Sequence, residues 1–307
     1  MKRWKLGGVL ALSLTLTGGS VAYAAKEKVC AAPSALTQAG FALPRLAKAL
    51  SGKLPAGADK AVSADKSLVA DKASAGASLD GKSLSEKPLA EKALAEKALA
   101  DGPPTSILVL NSATPKKKAS KPGAEKDVTP RSFPSFIEER LRERYPDRNI
   151  VLTTQNRPRA TAQAILAGLP KLLEQTRPAL MIWQTGTYDA ILGADTAEFS
   201  TAVETGIALA HAAGADVLIV SPQYSPRTAF AFDVAPYNNA LRWATRTARV
   251  PFFDRYDVMQ FWDEEGIFDF DLSRPSPSMF EDVHRCIGRL MVGMIVDGVG
   301  MRTLGAR

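Results

Sequence analysis

Two histidines, two cysteines and one Gly-Thr-Tyr-Asp turn hold most of the chemistry open to this 307-residue chain. The turn, Gly186-Thr187-Tyr188-Asp189, follows the apolar run Ala179-Leu-Met-Ile-Trp183. A short apolar run without helical spacing reads as a buried parallel strand. The carboxyl ends of such strands are where open α/β sheets bind ligands. Gly186 supplying a positive φ explains the turn equally well in isolation, so its meaning depends on what gathers around it. His211 lies in Ala208-Leu-Ala-His-Ala-Ala, a helical stretch far from any strand end, and reads as a surface or boundary residue. His284 follows Glu281 by one helical turn, and Ser278 with Glu281 fits a capping box opening a last helix. No metal-ligand spacing and no Gly-rich phosphate loop occurs, so no metal and no cofactor is expected.

The cysteines, Cys30 and Cys286, stand near opposite ends of the chain. Met1-Lys-Arg-Trp-Lys5 is a basic n-region, Leu6 to Val21 is apolar and small, and Ala22-Tyr-Ala24 fits a cleavage site. That is the pattern of a secretory signal peptide, residues 1–24, with an uncleaved anchor as the alternative. The expectation is a periplasmic or secreted protein that meets the membrane only through this segment. In an oxidising compartment the two cysteines are a disulfide candidate, and the long loop it closes corresponds to roughly 4–5 kcal/mol in the chain-entropy account. Two buried free thiols are the alternative. The formal charge is +7, and Lys2, Arg3 and Lys5 carry three of those charges, leaving +4 after cleavage. So mild a balance does not point to nucleic acid. The sequence assigns no oligomeric state.

The elements that must position these residues begin late. Residues 25–51 read as a short arm, with an amphipathic turn or two over Leu43–Leu50. Residues 52–104 are an Ala/Lys/Leu/Asp/Glu spacer. It ends in the five-residue repeat Lys87-Pro-Leu-Ala-Glu, Lys92-Ala-Leu-Ala-Glu, Lys97-Ala-Leu-Ala-Asp, a period that makes no helical stripe and no core. Residues 105–307 have globular texture. Strands are expected at Ser106–Asn111, Asn149–Thr154, Ala179–Thr185, Ala215–Val220 and Val250–Asp254. Helices are expected at Phe133–Tyr145, Arg159–Glu174, Ala197–Ala213, Pro236–Arg249 and from Ser278 to about Asp297. Short apolar strands alternating with helices mean a parallel sheet covered on both faces.

The blocks Ile182-Trp-Gln-Thr-Gly-Thr-Tyr-Asp189, Gly214-Ala-Asp-Val-Leu-Ile-Val-Ser-Pro-Gln-Tyr224 and Phe253-Asp-Arg-Tyr-Asp-Val-Met-Gln-Phe-Trp262 resemble a secreted bacterial branch of the SGNH/GDSL hydrolase family. The resemblance spans about residues 104–297. It implies a flavodoxin-like three-layer α/β/α sandwich whose five parallel strands run in the order 2-1-3-4-5, and an ester-hydrolase site. Such a site takes a Ser after strand 1 as nucleophile, oxyanion donors after strands 1, 2 and 3, and a His three residues after an Asp near the C-terminus.

Each block departs from that pattern. After strand 1, aligned strand ends place Asn111 at the family Gly and Ala113 at the nucleophile; a one-residue shift makes it Ser112. After strand 2, Gln155 stands where the family has Gly. After strand 3, Tyr188 replaces Asn, and losing one oxyanion donor typically lowers the rate by about 100- to 1000-fold. In the last block, Glu281-x-x-His284 has Asp-x-x-His spacing. Aligning Cys286 with the branch's helix Cys instead puts the family His on Ser278 and its Asp on Pro275, the register that helix phase favours.

The resemblance with these departures implies a catalytically degenerate scaffold for binding or assembly at the cell envelope, with envelope polysaccharide or an acyl ester as ligand. Its site would be lined by Asn111, Ala113, Gln155, Gly186, Thr187, Tyr188, Asp189 and Ser278. The alternative is a divergent serine esterase or acetylesterase with Ser112 as nucleophile, His284 as base, Glu281 orienting it, and the N–H groups of Ser112 and Gly186 as oxyanion donors. A third reading takes Lys116, Lys117, Lys118 and Lys121 as a patch for anionic glycans or lipid phosphates, against a solvated loop.

Overall fold

The computed structural model describes residues 30–51, 103–112, 130–272 and 276–301. The expected signal peptide, nearly all of the spacer, the lysines at 116–121, Ala113 and Pro275 lie outside them. Contacts divide the chain into Met1–Ala31 and Ala32–Arg307, and the fold below is that of the second unit. Neither cysteine is free, and Cys30 and Cys286 are both disulfide-bonded. Among the described residues no helix is long and apolar enough to cross a membrane.

Five strands form one parallel sheet in the order β2-β1-β3-β4-β5. They are β1 (Thr105–Asn111), β2 (Ile150–Asn156), β3 (Leu180–Gln184), β4 (Asp216–Val220) and β5 (Phe252–Phe253). The register runs Leu110↔Trp183 and Trp183↔Ile219 through the central strands. Strand side chains alternate between faces. Leu108, Leu110, Met181, Trp183, Val217 and Ile219 point into a core shared with Phe199, Val203, Ile207 and Leu241. Their neighbours Ile107, Val109, Leu180, Ile182, Leu218 and Val220 are as deeply buried. Both faces are therefore covered, and the three-layer expectation holds in its strand order.

The helices, in chain order, are α1 (Pro44–Ser51), α2 (Phe133–Arg144), α3 (Ala162–Leu166), α4 (Leu169–Thr176), α5 (Thr187–Leu192), α6 (Thr196–Ala212), α7 (Pro226–Ala231), α8 (Ala235–Ala248), α9 (Arg255–Glu264) and α10 (Pro277–Gly300). The expected helix over 159–174 is two helices. Thr161 caps α3 by accepting the Ala164 N–H, and α4 restarts after Gly168 with a proline in its first turn. The expected cap of the last helix is corrected by two residues. Ser276, not Ser278, accepts the Met279 N–H at 3.1 Å, and Pro277 fills the first helical position. Strand 5 shrinks to Phe252–Phe253 because Asp254 already caps α9 through the Asp257 N–H.

The arm is ordered by one buried carboxylate. Asp216, 3% exposed at the start of β4, accepts the Leu46 N–H at 2.9 Å and Arg45 Nη1 at 3.3 Å. Leu43 donates its N–H to the Gly298 carbonyl at 2.9 Å. These bonds hold α1 against the amino end of the sheet and against α10.

Candidate functional site

The carboxyl edge of the sheet gathers Ser112 after β1, Gly186 to Asp189 after β3, Ser221 to Gln223 after β4 and Asp254–Arg255 after β5. Ser112 is buried and lies one residue past β1. Asn111 closes β1 and accepts the Arg157 N–H through its carbonyl at 2.8 Å. Gln155 does not follow β2. It is half-buried within that strand, paired with Leu110, because β2 runs on to Asn156.

Gly186 has φ +92° and opens α5. A Cβ there would stand 3.3 Å from Pro222 and 3.4 Å from Phe199, so backbone conformation and space both call for glycine. The sequence turn is thus the start of a helix. Asp189 is buried and points inward. Its Oδ1 accepts the Ala162 N–H at 2.9 Å, fixing the first residue of α3. Burial raises its pKa, opposed by the Ala162 bond and by the nearby amides of Asp189 itself and Gly186. Asp189 Oδ2 and Thr187 Oγ1 are buried without a hydrogen-bond partner. Tyr188 is half-buried in the first turn of α5.

His284 lies inside α10, two turns from its start, and is 9% exposed. Its ring stacks on Phe133 with centroids 5.9 Å apart and planes at 6°, and it meets Phe280 at 4.1 Å. Its Nδ1 accepts the Phe133 backbone N–H at 3.1 Å. Burial, and then the Arg255 charge, push its pKa down to about 3, so the ring is neutral. Because a backbone N–H can only donate, Nδ1 is the bare nitrogen and the ring proton is on Nε2. Among the described residues no hydrogen bond links Ser112 to His284. Glu281 accepts the Arg131 N–H at 2.9 Å and so faces the start of α2. Ser278 is exposed, and its hydroxyl meets that of Ser276 at 2.9 Å. The structure thus puts Ser112 and Gly186 to Asp189 on one sheet edge, without joining the serine to the histidine.

Arg255 escaped the sequence reading. It is 3% exposed at the first position of α9. Burial lowers its pKa to about 10, which leaves it charged near neutrality. An arginine just beyond a short apolar run was the only signal, and charged residues after strands are ordinarily solvated.

A cavity of about 410 Å³ lies at the opposite edge, lined by Phe41, Arg45, His211, Asp216, Arg249 and Met301 among others. It borders the amino ends of β4 and β5 and contains none of the residues expected to line the site. Among the described residues no group of His, Cys, Asp or Glu could hold a metal ion.

No curated protein matches the sequence. Solved structures similar to the chain include TesA, at 19% identity and TM-score 0.43 over 60% of this chain and 99% of that one. Axe2, an acetylxylan esterase from Geobacillus stearothermophilus, is 12% identical with TM-score 0.48 over 66% and 97%. The psychrotrophic esterase EstA from Pseudoalteromonas sp. is 15% identical with TM-score 0.45 over 61% and 96%. Residues 84–301 match the Non-GDSL lipase-like family. That match spans well over half of the sequence, and the chain belongs to this family.

Proposed function

We propose that this protein is an exported, catalytically degenerate member of its family. It holds a ligand at the carboxyl edge of its sheet, an envelope polysaccharide or an acyl ester, without cleaving an ester bond. The observation that carries the reading is the hydrogen bond from the Phe133 N–H to His284 Nδ1. A base for a serine nucleophile must offer a bare Nε2 while its Nδ1–H is held by an acceptor. His284 has the reverse arrangement, between two phenylalanine rings, with a pKa too low for proton uptake near neutrality.

The test is hydrolysis of short-chain esters by the purified chain beside Ser112→Ala, with a serine-directed phosphonate as label. Rates at the buffer background for both proteins, and no labelling, are expected. Hydrolysis that disappears in Ser112→Ala would establish the divergent esterase in place of this reading.

A further inference from the structure

Arg255 is buried with half of its donor fork empty. Its Nη2 donates to Gln223 Oε1 at 3.3 Å, while its Nε is buried without a partner. The two acids nearest in sequence are engaged elsewhere, since Arg242 binds Asp254 at 2.5 Å and Asp257 at 2.6 Å. Burying a cation without a counter-charge is unfavourable, and such groups are ordinarily paired. Nε–H and the adjacent Nη2–H form the side-on edge of a guanidinium, two parallel donors spaced to match the two oxygens of a carboxylate. Gln223 offers a single carboxamide oxygen and so fills one prong. It is exposed, shortly beyond β4, and can swing away.

We infer that the Nε/Nη2 edge of Arg255 is a recognition site for a carboxylate-bearing ligand, with the Gln223 side chain as its displaceable cover. The inference rests on the proposed use of the carboxyl edge for binding, and it names the chemistry of what binds there. An acidic sugar unit supplies such a carboxylate within an otherwise neutral, hydroxyl-rich ligand.

The test follows thermal unfolding of the full chain at constant ionic strength with acetate, D-glucuronate, glucose or chloride. Acetate and glucuronate are expected to raise the midpoint in a saturable way, and glucose and chloride are not. Arg255→Lys keeps the charge but loses the fork, and is expected to weaken the carboxylate response by about tenfold or more, the loss of one charge-assisted hydrogen bond. Gln223→Glu, at an exposed position that does not endanger folding, fills the fork from within. It is expected to raise the midpoint without ligand and to abolish the response. No saturable response to either carboxylate, or a Gln223→Glu protein that responds like the parent, would overturn the inference. Ester hydrolysis by a protein that retains the carboxylate response would remove the non-cleaving reading and leave the fork standing. A protein inert to esters and blind to carboxylates would do the opposite.

Discussion

The backbone N–H of Phe133 donates to Nδ1 of His284 across 3.1 Å, joining the first residue of α2 to the interior of α10. One bond thereby caps an orphan donor of α2 and fixes the tautomer of a buried ring.

It also makes stability depend on acid. The folded-state pKa of His284 is about 3, against 6.5 for an unperturbed histidine. Between those values the unfolded chain holds a proton that the folded chain does not. The stability that His284 contributes is therefore fully present above about pH 6.5 and falls as pH drops towards 3, by up to about 1.4 kcal/mol per pH unit for one proton. His284→Asn keeps an acceptor for the Phe133 N–H and is expected to flatten this slope. Urea unfolding of both proteins across the window checks it; parallel curves would show that His284 is not the group responsible.

Gly206 in α6 lies against Trp183, where an added Cβ would be 2.3 Å from Cζ3 of a fully buried ring. Gly206→Ala is expected to destabilise by about 1–3 kcal/mol. Gly293 in α10 has nothing within 4 Å of its Cβ position, so Gly293→Ala is expected to stabilise by about 0.5–1 kcal/mol. Denaturant midpoints of the two variants should move in opposite directions.

Asp216→Ala leaves the Leu46 N–H without its buried acceptor and Arg45 with only its bond to the His211 carbonyl. A loss of about 1–3 kcal/mol is expected. Limited proteolysis is expected to cleave within α1 faster than in the parent. An unchanged cleavage pattern would mean that Asp216 does not hold the arm in place.

Asp254 is buried, accepts bonds from Ser221 Oγ, Arg242 Nε and the Asp257 N–H, and caps α9. Asp254→Ala is expected to lower stability by about 2 kcal/mol or more, a lost cap plus a lost buried acceptor. Asp257 shares Arg242, but both side chains are 38% exposed. Asp257→Ala is therefore expected to lower it by less than about 1 kcal/mol. Equal losses would show that burial of Asp254 does not govern the pair.

The sheet was legible because its three central strands are continuous apolar runs. Ile107–Leu110, Leu180–Trp183 and Val217–Val220 are each buried on both faces. The carboxyl edge was not. α5, α7 and α9 are short helices whose starts are set by Gly186 at positive φ, by the Ser225–Thr228 capping box and by the Asp254 cap. The placement of His284 inside a helix was readable from helix phase. Its bond to Phe133 joins positions 151 residues apart and left no local trace. The same holds for Asp216 and α1, and for Arg255, whose isolation follows only from Arg242 having taken both neighbouring acids.

The packing of α10 on α2 and α1 also sets an order in time. Gly288 sits so close to α2 that an added Cβ would be 2.8 Å from Phe136 Cβ, and one on Gly298 would be 2.9 Å from Leu43. At about 5–20 residues per second, the 151 positions between Phe133 and His284 take roughly 8–30 s to synthesise. For that interval Phe133, Phe136 and Leu43 have no α10 to cover them. A chain stopped before α10 keeps all five strands and loses the cover of its first helices, so late truncation is expected to yield an aggregating product.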